Sequence, residues 1–590
     1  MDMRRWTQDA RLSFARLPGL TSALGMNRAP DAPQQAVRDL WPGDPVLGAR
    51  LMKGELLFGG AVHPLAPGGW ADTGDALRAP GTFHVPLLRA HAQGFTWLRD
   101  LRALGTDSAR LRARTLVADW LQRPPNDALA RSPEIVGARV NAWLVHYDFF
   151  AASADDGFRQ RLMTRLLGDS RSLAAMVPCA THDHRALTAY KGLLACAVAM
   201  PDQGHLLTRY MRHIAAELGR QVLLDGCHVE RSPGAQLATL RELAEMRALM
   251  QTGQIAPPLA LAAALDRMAP ALRALRHADG GLALFNGTQE ENPSLIDLVL
   301  AQAARGRSIQ AALPEGGFIR LQVGRSLLFV DAGPPPPSGY DALSHAGTLS
   351  FELSIGRERL IVNCGAGVTP GWQDALRKTA AHSVLTVGDK SSSDFGPGGI
   401  TRRPAHVEID HKQSGGAHWL DLSHDGYKPG FGAVHRRRLY LAENGEDIRG
   451  EDFIEAGKPT GFVLRFHLHP DVTVKHESEL GSLSLTLGSG AQWRMRIEGG
   501  AVAIDESVYL GAGPPRLSRQ IVVTVTPPVP VDAEAPQGDL RGDAGGDVTE
   551  DTGDAAGDAT GNATAENTPA RDAASGEPQA VRWALSRAES

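Results

Sequence analysis

What this 590-residue chain has little of narrows its class first. Its four cysteines, Cys179, Cys196, Cys227 and Cys364, show no CxxC or other ligand spacing. They read as small core residues, which excludes a disulfide framework. No run reaches the ~18–20 apolar residues that span a bilayer. The N-terminus, MDMRRWTQDARLSFARL, is basic and amphipathic but lacks the unbroken apolar stretch and small-residue cleavage site of a secretory signal. A cytoplasmic location is therefore expected, with a membrane-surface role for the first helix as the alternative. Positive charge is not in excess: 61 Lys and Arg face 66 Asp and Glu, a formal net charge of -5, so nucleic acid is not an expected partner. Nor is there a repeat of fixed period that would mark a TPR or HEAT array.

What is present divides the chain in two. After an N-terminal amphipathic segment and Pro-containing linker (1–45), LMKGELLFGGAVHPLAP reads as a short hairpin around Gly-Gly. From Val85 onward about eight segments carry apolar residues three and four apart, separated by short breaks holding Pro, Gly or Asp. Consecutive helices with short links predict paired antiparallel hairpins, hence an irregular α/α toroid over 46–310. After Leu313 the period switches from 3.6 to 2, and successive Val-, Leu- and Ile-rich strands with Gly turns predict an antiparallel β-sandwich over 311–530. Residues 531–578 are Asp, Ala, Gly and Thr with almost no large apolar side chain, a composition expected to be disordered. AVRWALSRA then regains alternation, which predicts that 579–590 return to the sandwich as a last strand.

The densest polar motif is DGCHVERSP, 225–233, joined directly to a helix whose Leu237, Leu240, Leu243, Met246 and Met250 recur at helical spacing. Ser232-Pro233 starts that helix, so His228, Glu230 and Arg231 stand at its entrance, where free N–H groups favour an anion. The competing reading is a surface Glu230–Arg231 pair with His228 capping a loop. In HRRRLYL, His435 and Arg436 to Arg438 read either as a solvated strand or as one lining an anionic groove.

GFTWLRDL, DGCHVERSP, GTLSFELSIGRERLIVNCG and AHSVLTVGDKSS, on a toroid followed by a sandwich, resemble the heparinase II/III family over residues 45 to 530. The resemblance is to its bacterial branch of undefined substrate more than to the characterised heparin or alginate lyases. It implies a polysaccharide lyase-like protein that acts on an acidic, uronate-containing polysaccharide or oligosaccharide by β-elimination, in a cleft between the domains. Removal of the C5 proton requires the neighbouring carboxylate to be neutralised, a base, and an acid for the leaving O4. His182, His184 and Arg185 of THDHR correspond to the neutralising element. His228 would serve as base or orienter and Tyr427 of HDGY as acid/base. Glu230, Arg231, His345, His382 and His424 are the implied substrate-binding residues. The family's Tyr after the Ser/Asn-Pro step is replaced by Gly234-Ala235-Gln236. The family's sheet-domain zinc set is replaced at three positions by Leu343, Gly347 and Asn363, so no tightly bound zinc and no other cofactor is expected. These departures support a second reading, a catalytically degenerate glycan-binding protein of the same fold. A third, weaker one is a hydrolase using Glu230 with Asp183. The family resemblance also makes the periplasm or cell envelope an alternative location.

Overall fold

The computed structural model describes residues 29–65, 85–125, 128–367, 370–458, 460–477, 481–511, 513–527 and 579–588. The N-terminal amphipathic segment and the acidic stretch 531–578 lie outside the described residues, as do the expectations that fall on them.

The predicted hairpin is present. Glu55–Phe58 pairs antiparallel with Ala61–Pro64, and the turn glycines Gly59 and Gly60 have φ of 58° and 79°, the left-handed conformation that such turns require. Helices follow from Val85–Gly94 to Pro293–Ala303. Two of them, Pro133–Val145 and Ala186–Ala199, cross where Gly137 meets Gly192: a Cβ on Gly192 would lie 2.5 Å from the Cα of Gly137. Only glycine permits that approach, and it closes the centre of the toroid around Tyr190, Leu193 and Leu194. The helix Pro233–Thr252 starts as its sequence requires. The Ser232 hydroxyl accepts from Ala235 N at 3.3 Å, Pro233 occupies the first turn, and Leu237, Leu240, Leu243, Met246 and Met250 are all buried.

Among the described residues the sandwich consists of two antiparallel sheets of eight strands each. In the first, the order runs Ala501–Tyr509, Arg516–Val525, Phe462–Leu468, Glu358–Val362, Phe351–Ile355, Ser326–Asp331, Phe318–Val323, with Leu385–Val387 beside Phe462–Leu468. In the second it runs Val407–Ser414, Ala417–Tyr427, Ala433–Leu441, Asp447–Ala456, Ala580–Arg587, Gln492–Glu498, Ser482–Thr486, Thr473–Glu477. The returning strand is thus an interior one, paired on both sides. Its Trp583 fills the space above Gly450 and stacks on Phe351 at 5.7 Å between ring centres, so the last residues complete the core between the sheets.

Residues 277–290 strap the two domains together. His277 bonds Glu352 at 2.8 Å and Ser354 at 3.0 Å, Leu284 N donates to Glu352 at 3.1 Å, and Asp279 pairs with Arg359 at 2.8 Å. Among the described residues no helix is long and apolar enough to cross a membrane.

Candidate functional site

Where the helical domain faces the sandwich, three carboxylates each hold a cation or a histidine. His184 bonds Glu230 through Nδ1 at 2.8 Å and through its backbone N–H at 2.7 Å. His182 Nδ1 lies 3.0 Å from Glu217, whose other partners are Arg220 at 2.7 Å and Gln221 at 2.7 Å. Arg185 Nε donates to Asp183 at 3.1 Å. The carboxylates are buried, whereas the side chains of Arg185, Arg220, His182 and His184 keep 44%, 39%, 23% and 19% of their surface exposed. The buried acids therefore hold partly exposed cations at the surface. Burial opposes charge on His184, but Glu230 outweighs it and raises the His184 pKa above the ordinary value. Glu230 is itself held down to about 2: its burial is overcome by the charge and hydrogen bonds of His184.

From the sandwich, the loop 333–341 carries Tyr340 to this cluster, near enough to Glu217, Arg220, Asp183 and Glu230 for their charges to act on its hydroxyl. Burial and the carboxylates raise its pKa, with Arg220 opposing them.

The sequence did not single out Glu217, Arg220 or Tyr340. A signal existed for the first. On Gly204–Gln221 the buried stripe Tyr210, Ile214, Leu218 also includes Glu217 and Gln221, and polar groups at core positions of an amphipathic helix require partners. Tyr340 had no such signal, since only the tertiary fold brings its loop across.

Of the sequence-predicted residues, Arg231 and Tyr427 lie elsewhere than expected, His228 is closed off, and His345, His382 and His424, expected to bind substrate, are buried in the sandwich. Arg231 is neither half of a surface pair nor a ligand clamp. Its backbone has φ of 51°, and all five N–H donors are used by the sandwich: Nε to Gly316 O at 2.7 Å, Nη1 to Gly333 O at 3.1 Å and Pro334 O at 2.6 Å, Nη2 to Gly317 O at 3.0 Å and to Asp331. It pins the start of the loop that delivers Tyr340. Tyr427 is in the sandwich core and donates to Leu385 O at 2.9 Å, so its hydroxyl does not reach the cleft. His228 stands behind His184, buried, with Nδ1 accepting from Glu230 N at 3.2 Å and Nε2 donating to Gln221 Oε1 at 3.1 Å. Burial lowers its pKa to about 4 against the pull of Glu230, so it is neutral with both ring nitrogens occupied. Within Gly234-Ala235-Gln236, Gln236 accepts from His228 N at 2.6 Å and donates to the carbonyls of Gly226 and Met268.

In the sandwich, His345 Nδ1 meets His382 Nε2 at 3.2 Å and His382 Nδ1 donates to Lys378 O at 2.9 Å. His424 bonds Gly426 N at 3.0 Å and His435 at 3.3 Å. All four are buried. The zinc set implied by the resemblance does not fit these residues. A Cβ on Gly347 would already meet the His382 ring at 2.8 Å, and Asn363 is spent on Glu352 and Ser383 N. Among the described residues no group of three or more His, Cys, Asp or Glu is arranged to hold a metal ion.

Comparison with known proteins agrees with this architecture. Residues 305–583 match the family model described as heparinase II/III-like, C-terminal. A protein of Caulobacter vibrioides (strain NA1000 / CB15N) named FtsZ-localized protein C is 32% identical over 507 residues, which cover 82% of this chain and 85% of that protein. The chain belongs to the heparinase II/III family. Among solved structures, heparinase III superposes with a TM-score of 0.64 at 12% identity over 88% of this chain and 89% of that one. The heparan sulfate lyase HepC from Pedobacter heparinus superposes with 0.53 at 14% identity over 88% and 86%. At such identities the likeness to these members shows the toroid-plus-sandwich fold alone.

Proposed function

We propose that this heparinase II/III family member binds an acidic, uronate-containing glycan in the cleft between its domains and does not cleave it. The observation that carries this reading is the occupation of His228: the histidine placed to act as base is buried, neutral and bonded at both nitrogens. A base must reach the proton it removes. Arg185, Arg220 and His184, whose pKa Glu230 raises, are held partly exposed by their carboxylates and suit a uronate carboxylate. The test pairs calorimetric binding with ultraviolet absorbance of the unsaturated product over a panel of uronate polysaccharides. Binding without new absorbance is expected; absorbance growing with time would overturn the reading.

One observation favours a second reading, a lyase. Tyr340 lies within electrostatic reach of the charged cluster and would supply the proton to the leaving O4, so loss of product absorbance in Tyr340→Phe, with binding kept, would establish it. The name of the Caulobacter relative adds a setting, and we extend it to this chain: a location shared with FtsZ, to be checked by imaging a fluorescent fusion beside labelled FtsZ.

A further inference from the structure

A second polar surface lies away from the cleft, along the seam where the helices Leu259–Ala274 and Pro293–Ala303 meet the connector 304–312 and the strand Phe318–Val323. Two cavities, of 880 and 440 Å³, share Arg273, Ala304, Arg305 and Gly306 and so form one continuous groove. Arg247, Arg273, Arg276, Arg305, Arg307 and Arg320 line it, against only Asp266 and Asp297. Among the described residues only Arg276 of the six has a carboxylate partner, Asp297 at 2.8 Å. Arg320 Nε is enclosed without any hydrogen-bond partner among them. The like charges crowd one another: burial, then the cations of Arg276 and Arg307, lowers the Arg273 pKa. Arg247 bonds the carbonyls of Gln302 and Ala303, Arg273 that of Ser308 and Arg320 the side chain of Gln322, but these neutral acceptors leave the positive charge uncompensated. In a chain with a net charge of -5, five clustered guanidinium groups without a carboxylate partner among the described residues are a local feature that calls for an anion.

The floor between the arginines identifies the kind of anion. It is aliphatic, formed by Leu300, Ala301, Ala304 and Leu327, with Ile309 53% exposed at its side. Among the described residues no Phe, Tyr or Trp lines either cavity. Nucleobases gain affinity by stacking on aromatic rings, which this groove does not offer. A flat bilayer surface is a poor match for a concave site. A peptide that alternates carboxylates with aliphatic side chains satisfies both parts, its acids meeting guanidinium forks and its apolar groups the floor.

We propose that this groove is a docking site for an acidic peptide segment of a partner protein, with aliphatic residues between its carboxylates. The site is independent of the glycan cleft.

The test uses the full chain and fluorescence anisotropy with a fluorescein-labelled peptide of alternating Glu and Leu. Saturable binding that weakens as salt rises is expected. Arg305→Glu/Arg307→Glu, at two exposed positions, should weaken it at least about tenfold with an unchanged thermal midpoint. Lys412→Glu/Lys475→Glu makes the same change in net charge on exposed strands of the sandwich and should leave the affinity as it was, as should the cleft variant Arg220→Ala. No binding, or equal weakening by the two charge-reversed pairs, would overturn the proposal. So would tighter binding of a single-stranded oligonucleotide or of phosphatidylglycerol vesicles that depends on Arg305 and Arg307.

Discussion

The cleft and the sandwich interior both gather histidines, carboxylates and arginines, and the fold treats them in opposite ways. At the cleft, Glu217, Glu230 and Asp183 are buried and their cationic partners partly exposed, so the charge faces outward. Inside the sandwich, His424, His435, Asp452 and Arg437 form a closed chain. His424 meets His435 at 3.3 Å, His435 bonds Asp452 at 3.0 Å, and Arg437 reaches Asp452 at 2.7 Å. Trp583 Nε1 donates to the other oxygen of Asp452 at 3.2 Å, which ties the last strand to the same group. The residue types are alike; what differs is access, since even Arg437 Nη2, which has no hydrogen-bond partner among the described residues, is fully enclosed, whereas the cations at the other site reach solvent. A polar network with every member enclosed specifies the fold, while one with an exposed half can act on something else.

The largest effect should come from opening the closed network. Asp452→Ala leaves a fully buried guanidinium, His435 and the Trp583 N–H without their acceptor, and is expected to cost ~4–5 kcal/mol, near the top of the range for breaking a buried ion pair. The denaturant midpoint of the sandwich transition measures it, and a change below ~1 kcal/mol would show that the network is not closed. Arg231→Met should cost less, about 3 kcal/mol. Burial raises the pKa of Asp331 against the pull of Arg231, so that carboxyl can take up a proton once its partner is gone. Because Arg231 also holds Gly333 and Pro334, the variant should loosen the Tyr340 loop, read as faster amide hydrogen exchange over 333–341.

Acid should separate the two regions without any mutation. Burial lowers the pKa of His345, His382, His424, His435 and His467, to about 4 for His382 and about 3 for His467. Each is neutral when folded. Below pH 6.5 the unfolded chain therefore binds more protons, and the stability these groups contribute is complete above 6.5 and declines as pH falls towards 4. The slope is at most ~1.4 kcal/mol per pH unit for each group. The cleft pair runs the other way. The raised pKa of His184 contributes stability below its unfolded value of 6.5, lost as pH rises through the folded value, while Glu230 stays ionised down to about 2. Within 182–230 the buried His228, held at about 4, acts in the same direction as the sandwich histidines and His184 opposes it, whereas the sandwich has five such histidines with no opposing one among those named. Hydrogen exchange between pH 7 and pH 5 should therefore accelerate in the sandwich strands before the segment 182–230, and the reverse order would contradict the assignment.

The contrast also explains what the sequence could disclose. Periodicity resolved the helices, the strands, the 55–64 hairpin and even the returning strand Ala580–Arg587, because alternation and helical spacing are local. DGCHVERSP was marked as the densest polar motif at a helix entrance, but its members divided according to contacts 46 to 103 residues away: Glu230 to His184, Arg231 to the loop 316–334. Whether a histidine is a base or a brace depends on what lies behind its second nitrogen. For His228 that is Gln221, from the preceding helix, and no spacing within the motif records it. Tyr427 drew notice for its neighbour His424 in HDGY, yet the strand Ala417–Tyr427 turns that tyrosine into the core.

The smallest effect on stability should come from Arg220→Ala, and there the comparison is sharpest. Arg220 is exposed over 39% of its side chain and pairs with Glu217 at i,i+3 on a helix, a contact worth under ~0.5 kcal/mol at a solvated position. Its loss does not strand Glu217, which keeps His182 at 3.0 Å and Gln221 at 2.7 Å. The denaturant midpoint should therefore hardly move. Affinity for a uronate oligosaccharide should fall by ~1.5–3 kcal/mol, the worth of a hydrogen bond to a charged group, or roughly 10- to 150-fold in Kd. The two readouts are independent, so the outcome discriminates: a lowered midpoint with unchanged affinity would place Arg220 with Arg231 among the structural arginines and remove the cleft's claim to a carboxylate ligand, whereas weakened binding at constant stability is what an outward-facing cation requires.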